Sequence, residues 1–205
     1  MLTKVQKIEN EILRILLRQA CAMKIWQNIQ TALAAVATLW LVYFIDFFLP
    51  IDLRRYGLRP RQLDSLAGVV FTPFLHIDLR HLIANSGILV VLLTVSLSFS
   101  RKLTLGALWI IILVGGGLVW LSAKGGTIHI GASGVIFGLI GFLMCLGIFR
   151  RDWKALIISL AIFLLYGGAL QSLLIYVPGI SWTGHLFGFI SGVLAAWWTR
   201  AAKKK

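Results

Sequence analysis

The chain has 205 residues, of which 59% are hydrophobic and 13% charged, with a mean hydropathy of +0.90. Soluble chains run at about 45–50% apolar and about 25% charged, so a water-soluble domain is excluded. The 20 Lys and Arg against 7 Asp and Glu leave a net charge of +13, but the basic residues cluster between apolar runs, which assigns them to membrane topology rather than to nucleic acid.

Residues 1–28 read as a basic amphipathic helix lying on the membrane surface. Val5, Ile8, Ile12, Ile15 and Leu16 recur at helical spacing, opposite Lys4, Lys7, Glu11, Arg14 and Arg18. A partner-binding helix is the alternative. Residues 29–199 then hold six apolar segments, each near the ~20 residues that cross a bilayer. They are Ile29–Leu49, Leu82–Phe99, Leu103–Leu121, Ile130–Phe149, Ala155–Val177 and Ser181–Thr199. The first ends at Leu49-Pro50 without a small-residue cleavage site, so it reads as a retained span rather than a signal peptide. Arg150-Arg151 close the fourth, and Val177-Pro178-Gly179 break the fifth. Residues 200–205 form a basic tail.

Lysine and arginine set the orientation. Lys4, Lys7, Arg14, Arg18 and Lys24 share a side with Arg101-Lys102, Arg150, Arg151, Lys154, Arg200 and the terminal lysines. The opposite side carries Arg54, Arg55, Arg59, Arg61, Arg80 and Lys124, nearly all in one long loop, where the bias counts for less. Both termini are expected in the cytosol, and the protein in a bacterial cytoplasmic membrane. Cys21 and Cys145 form neither a disulfide framework nor a metal spacing, and no cofactor or metal is implied.

Ionisable groups inside spans are costly and mark function. His76, His81 and Asn85 open the second span, with His81 and Asn85 four apart on one helical face. Gly131-Ala132-Ser133-Gly134 opens the fourth span, and Gly184-His185 lies in the sixth. Even-numbered spans run inward, so all three clusters fall at the outer end, at one membrane depth. Nucleophilic hydrolysis has a use for each. Ser133 needs a base, and His185 is the histidine of the later spans. Gly131 and Gly134 let backbone approach a substrate, and the unpartnered N–H groups of a first helical turn suit a developing oxyanion. His81 and Asn85 supply side-chain donors. With no carboxylate near His185 in sequence, a dyad is expected rather than a triad.

Packing is the competing reading. Gly131, Gly134, Gly138 and Gly141 form one small-residue stripe, and Gly184, Gly188 and Gly192 another; such stripes bring membrane helices close without catalysis. The two readings are compatible. Asp46 reads as an interfacial residue, with a proton site as the alternative, and His129 as a solvated loop residue, with a second base as the alternative. Gln171 and Tyr176 are candidates to line a substrate path.

These residues resemble the rhomboid family of intramembrane serine proteases. The resemblance rests on His76-x4-His81-x3-Asn85, Gly131-Ala132-Ser133-Gly134 and Gly184-His185-x2-Gly188-x3-Gly192, in the family's order, over residues 67–197. It implies an all-α, six-helix bundle with a water-filled cavity opening outward. It also implies a Ser133 nucleophile, a His185 base and an oxyanion site from Ser133 N–H, His81 and Asn85. The substrates it implies are single-span membrane proteins, cut in or near their transmembrane segments. Three departures stand out. Phe137 occupies the position of a tyrosine that some bacterial members stack on the histidine. Ala67-Gly68 lie where many members carry a Trp-Arg pair. Gly184 replaces a frequent alanine. A non-catalytic, client-binding rhomboid-like protein is the alternative, though such relatives typically lack the serine or the histidine. A transporter would predict inverted repeats, and none is found.

Overall fold

In the computed structural model, residues 4–173 and 181–199 are described. The first helix, α1, runs unbroken over Lys4–Phe48. The backbone runs without a break through residue 28, where the sequence places the change from basic segment to first span: no glycine or proline occurs before Pro50 to end the helix there. α1 packs antiparallel to α2 (Leu79–Phe99). Trp40 Nε1 donates to Ser86 Oγ at 3.0 Å, and twelve residues earlier Asn28 Nδ2 donates to Ser98 Oγ at 3.3 Å. Everything before Asn28 therefore extends past the end of α2, by about 36 Å at 1.5 Å per residue. Leu13, Leu16, Leu17 and Trp26 are exposed there.

The remaining helices follow the expected order with small shifts. α3 (Arg101–Ser122) is capped by Ser100, whose hydroxyl accepts from Leu103 N–H, and it contains a π-helical stretch at Ile111–Gly115. Periodicity gave no sign of that extra residue. α4 (Ser133–Arg150) ends where Arg151 takes a left-handed conformation at φ 50°. Asp152 then caps α5 (Trp153–Tyr166) by accepting from Lys154 and Ala155 N–H. α5 tightens into a 3₁₀ stretch at Gly167–Leu173. The predicted end of the fifth span, including Tyr176 and Pro178, lies outside the described residues, as does the tail 200–205. α6 spans Trp182–Thr199.

Five of these helices, α1 to α4 and the α5–3₁₀ unit, are long and apolar enough to cross a membrane. α4 is the most buried of the five, and it packs most extensively against α6. The glycine stripes explain how. A Cβ on Gly188 would overlap the carbonyl oxygen of Gly134, and one on Gly192 would overlap that of Gly138. The two backbones touch, which in lipid is the main source of helix association. On its other side, α4 receives α5 through Ser159, whose Oγ donates to Leu143 O at 2.7 Å. A core of Leu82, Leu92, Leu139, Ile140, Phe142 and Leu146 fills the centre.

The long loop between α1 and α2 is pinned rather than loose. Asp46 accepts the Leu53 N–H at 2.5 Å and lies 4.0 Å from Arg54, so this carboxylate ties the end of α1 to the loop that follows. Arg61, at φ 60°, donates through Nη1 to the carbonyls of Leu121 and Ala123 at 3.1 and 2.8 Å. A guanidinium on the last carbonyls of α3 satisfies acceptors that the helix leaves open and favours the dipole's negative end. Trp120 Nε1 closes the clasp on Gln62 O at 3.0 Å. The loop is thus held by arginine and tryptophan side chains, Arg61 and Trp120, set far apart in sequence.

Candidate active site

The starts of α2, α4 and α6 converge at one end of the bundle. Before α4, Gly131 sits at φ +111°, and its N–H donates to Thr72 O at 2.9 Å. A Cβ there would lie 2.6 Å from Cε1 of His81, so only glycine gives both this turn and this approach of the His81 ring. Ser133, half-buried, opens α4, whose first-turn N–H groups have no partner within the helix.

One turn on, Phe137 stacks on His185, with ring centroids 4.1 Å apart and planes 14° from parallel. His185 is buried, and its Nδ1 lies 3.0 Å from Ser172 Oγ. Among the described residues no hydrogen bond joins Ser133 Oγ to His185. Catalytic contacts are often loose in an unliganded site. Ser133 and Phe137, four apart, share one face of α4, and Phe137 on that face meets His185.

Asn85 is also buried, and its Nδ2 donates to His76 Nε2 at 3.1 Å. His76 Nδ1 is 3.3 Å from Phe74 O, which makes Nδ1 the protonated nitrogen and leaves Nε2 to accept. One of the two amide N–H bonds of Asn85 is committed to His76, and the other is left. The rings of His76 and His81 meet edge to face at 5.2 Å.

Gly184 has a local explanation. A Cβ there would lie 2.6 Å from Ser181 Oγ, and that same hydroxyl accepts the Gly184 N–H at 3.1 Å. Glycine leaves room for the serine that caps α6. A cleft with about 60 Å³ of room lies beside Ser133, between Thr72, His129, Gly131, Ser181, Gly184 and Gly188. That is space for more than one water molecule; Leu58, Val69, Ile111 and Val119 make much of its wall apolar, and Thr72, His129 and Ser181 add hydroxyl and imidazole groups.

Sequence reasoning missed Thr72, His129 and Ser181. His129, expected in solvent, is buried. Its backbone pairs with Leu58 in both directions, at 3.0 and 2.8 Å, and Thr72 Oγ1 donates to its carbonyl at 3.1 Å. Thr127 Oγ1 spends its proton on Lys124 O, so it accepts from His129 Nε2–H; Nδ1 is then left to accept from Ser181 at 2.6 Å. Burial pushes the pKa of His129 below the usual imidazole value. It thereby joins the loop before Gly131 to the first turn of α6. The residue types alone gave no signal, because the link spans segments that only the fold brings together.

A helical bundle with glycine-packed α4 and α6, and with serine, histidine and asparagine gathered at one end, belongs to the integral, multi-pass membrane proteins. The chain is a member of the rhomboid family, matching the Rhomboid domain over residues 64–202. Over 183 residues it is 39% identical to an uncharacterized protein of Mycobacterium tuberculosis, spanning 85% of this chain and 76% of that one. The same figures hold for an uncharacterized protein of Mycobacterium bovis. A Mycobacterium leprae relative, also uncharacterized, is 40% identical over 187 residues, spanning 85% and 72% of the two chains.

Proposed function

We propose that this protein is an intramembrane serine endopeptidase that hydrolyses peptide bonds in or near the transmembrane segments of single-span membrane proteins. The convergence of Ser133, Phe137-stacked His185 and Gly131-apposed His81 at one end of the helical bundle carries the reading. Ser133 Oγ attacks the scissile carbonyl while His185 takes its proton. The oxyanion is met by the Ser133 N–H, His81 and the free N–H of Asn85. His185 then protonates the leaving amine, and water from the cleft beside Ser133 hydrolyses the acyl ester with His185 again as base. Gly134 and Gly188 serve this chemistry by holding α4 and α6 in contact, Gly131 by admitting the His81 ring, Gly184 by leaving room for Ser181, and His76 by orienting Asn85. Purified protein in detergent, offered a panel of single-span substrates, should release fragments cut within or beside the span. Failure across a broad panel, with the protein folded, overturns the reading.

The site opens on the outer face of the bacterial cytoplasmic membrane, with both termini and the Arg150–Lys154 turn in the cytosol. The lysine and arginine distribution supports this orientation. In a chain with Cys21 and Cys145 replaced by serine, Lys124→Cys should react with an impermeant reagent from outside and Lys203→Cys should not. The reverse pattern inverts the topology.

A further inference from the structure

A dyad leaves open what holds the histidine. An imidazole has two tautomers, and only one of them turns a lone pair toward the serine. In serine proteases of the triad type, a buried carboxylate makes that choice. No Asp or Glu lies in α6 or in the described end of α5. Ser172 is there instead. It stands in the 3₁₀ stretch Gly167–Leu173, and that stretch is tied to α6 by Trp182 Nε1, which donates to Leu173 O.

The protons can be counted. A serine hydroxyl has one proton and two lone pairs. Ala169 O, a carbonyl, can only accept, and it lies 2.8 Å from Ser172 Oγ, so the Ser172 proton goes there. The contact of 3.0 Å between Ser172 Oγ and His185 Nδ1 must then run the other way, with Nδ1–H donating and the serine oxygen accepting. That leaves Nε2 deprotonated. We infer that Ser172 is a positioning residue for His185, selecting the Nδ1–H tautomer and so directing the Nε2 lone pair at Ser133.

This assignment rests on the protease reading for its catalytic meaning but not for its chemistry. Phe137 fixes the plane of the ring from one face; Ser172 fixes which way the ring's protons run. A neutral hydroxyl lends no charge to the imidazolium formed during turnover, so its effect is smaller than that of a triad carboxylate. It amounts to the loss of one hydrogen bond, about tenfold in rate.

The test uses the full chain in detergent, labelled with ¹⁵N-histidine and, separately, reacted with a fluorophosphonate that captures an activated serine. The His185 signals are assigned by their loss in His185→Gln. Expected is the Nδ1–H tautomer in the wild type and a mixture of tautomers in Ser172→Ala, with phosphonylation of Ser133 about tenfold slower. Ser172→Thr, which keeps the hydroxyl, should restore both. An Nε2–H tautomer in the wild type overturns the assignment, as does a Ser172→Ala chain with unchanged tautomer and unchanged rate. A wild type that shows the Ser172-dependent tautomer but takes up no fluorophosphonate upholds the hydrogen bond and defeats the protease reading.

Discussion

Ser133→Ala should abolish cleavage of a single-span substrate, and His185→Ala should do the same, each by about 10⁴-fold or more. The double variant should be no worse than either single one, because the two groups act as a unit. Their effects on stability should differ. Ser133 is half-buried and without a hydrogen bond to His185, so its loss leaves thermal unfolding close to wild type. His185 is buried and stacked on Phe137, and removing the ring forfeits an aromatic contact of about 0.5–1.5 kcal/mol. That contact alone accounts for about tenfold in an equilibrium, and with the hydrogen bond to Ser172 added the cost still falls short of the expected loss of turnover. Cleavage in either single variant within about tenfold of wild type would dismiss the dyad.

The second large effect belongs to a glycine that touches no substrate. Gly188→Val should cost about 100-fold or more in turnover and lower the unfolding temperature in detergent. The Cβ alone would overlap Gly134 O and lie 2.9 Å from Gly134 C, and a backbone carbonyl inside a helix cannot rotate away. The helices must separate, which moves His185, one turn before Gly188 in α6, away from the residue that follows Ser133 in α4. Even Gly188→Ala should be damaging. Gly87 provides the contrast: a Cβ there meets nothing within 4 Å, so Gly87→Ala should leave both activity and stability near wild type. Equal behaviour of Gly188→Val and Gly87→Ala would mean that α4 and α6 do not bear on each other as described.

Much of this architecture is legible in the residues because the bilayer imposes it. Apolar runs near the length of a span mark α2, α3, α4 and α6 to within a few residues, and the small-residue stripes of α4 and α6 announce a close contact. The 45-residue α1 was legible too, in the absence of any breaker before Pro50, but amphipathic periodicity drew attention to a boundary that the backbone does not make. The π-helical stretch in α3 left no trace, since one extra residue in an all-apolar run changes no pattern. The polar links of the site were hidden for a different reason. Ser172, Ser181 and His129 matter through the partners they meet, and a serine at a helix end carries no sign of which distant nitrogen it will face. Asp46 drew a proton-site alternative beside its interfacial reading because carboxylates at membrane depth are rare; its partners are the Leu53 N–H and Arg54.

The contact between α4 and α6 also has a meaning in time. Ser133 is synthesised about fifty residues before His185, and every group that fixes the imidazole, whether Phe137, Ser172 or the glycine seam, has to wait for the last helix. On the proposed protease reading, the serine has a helix end but no base until α6 enters the membrane, and the chain sits beside other newly inserted single-span proteins without cutting them. On that reading, insertion of α6 is the event that arms the site.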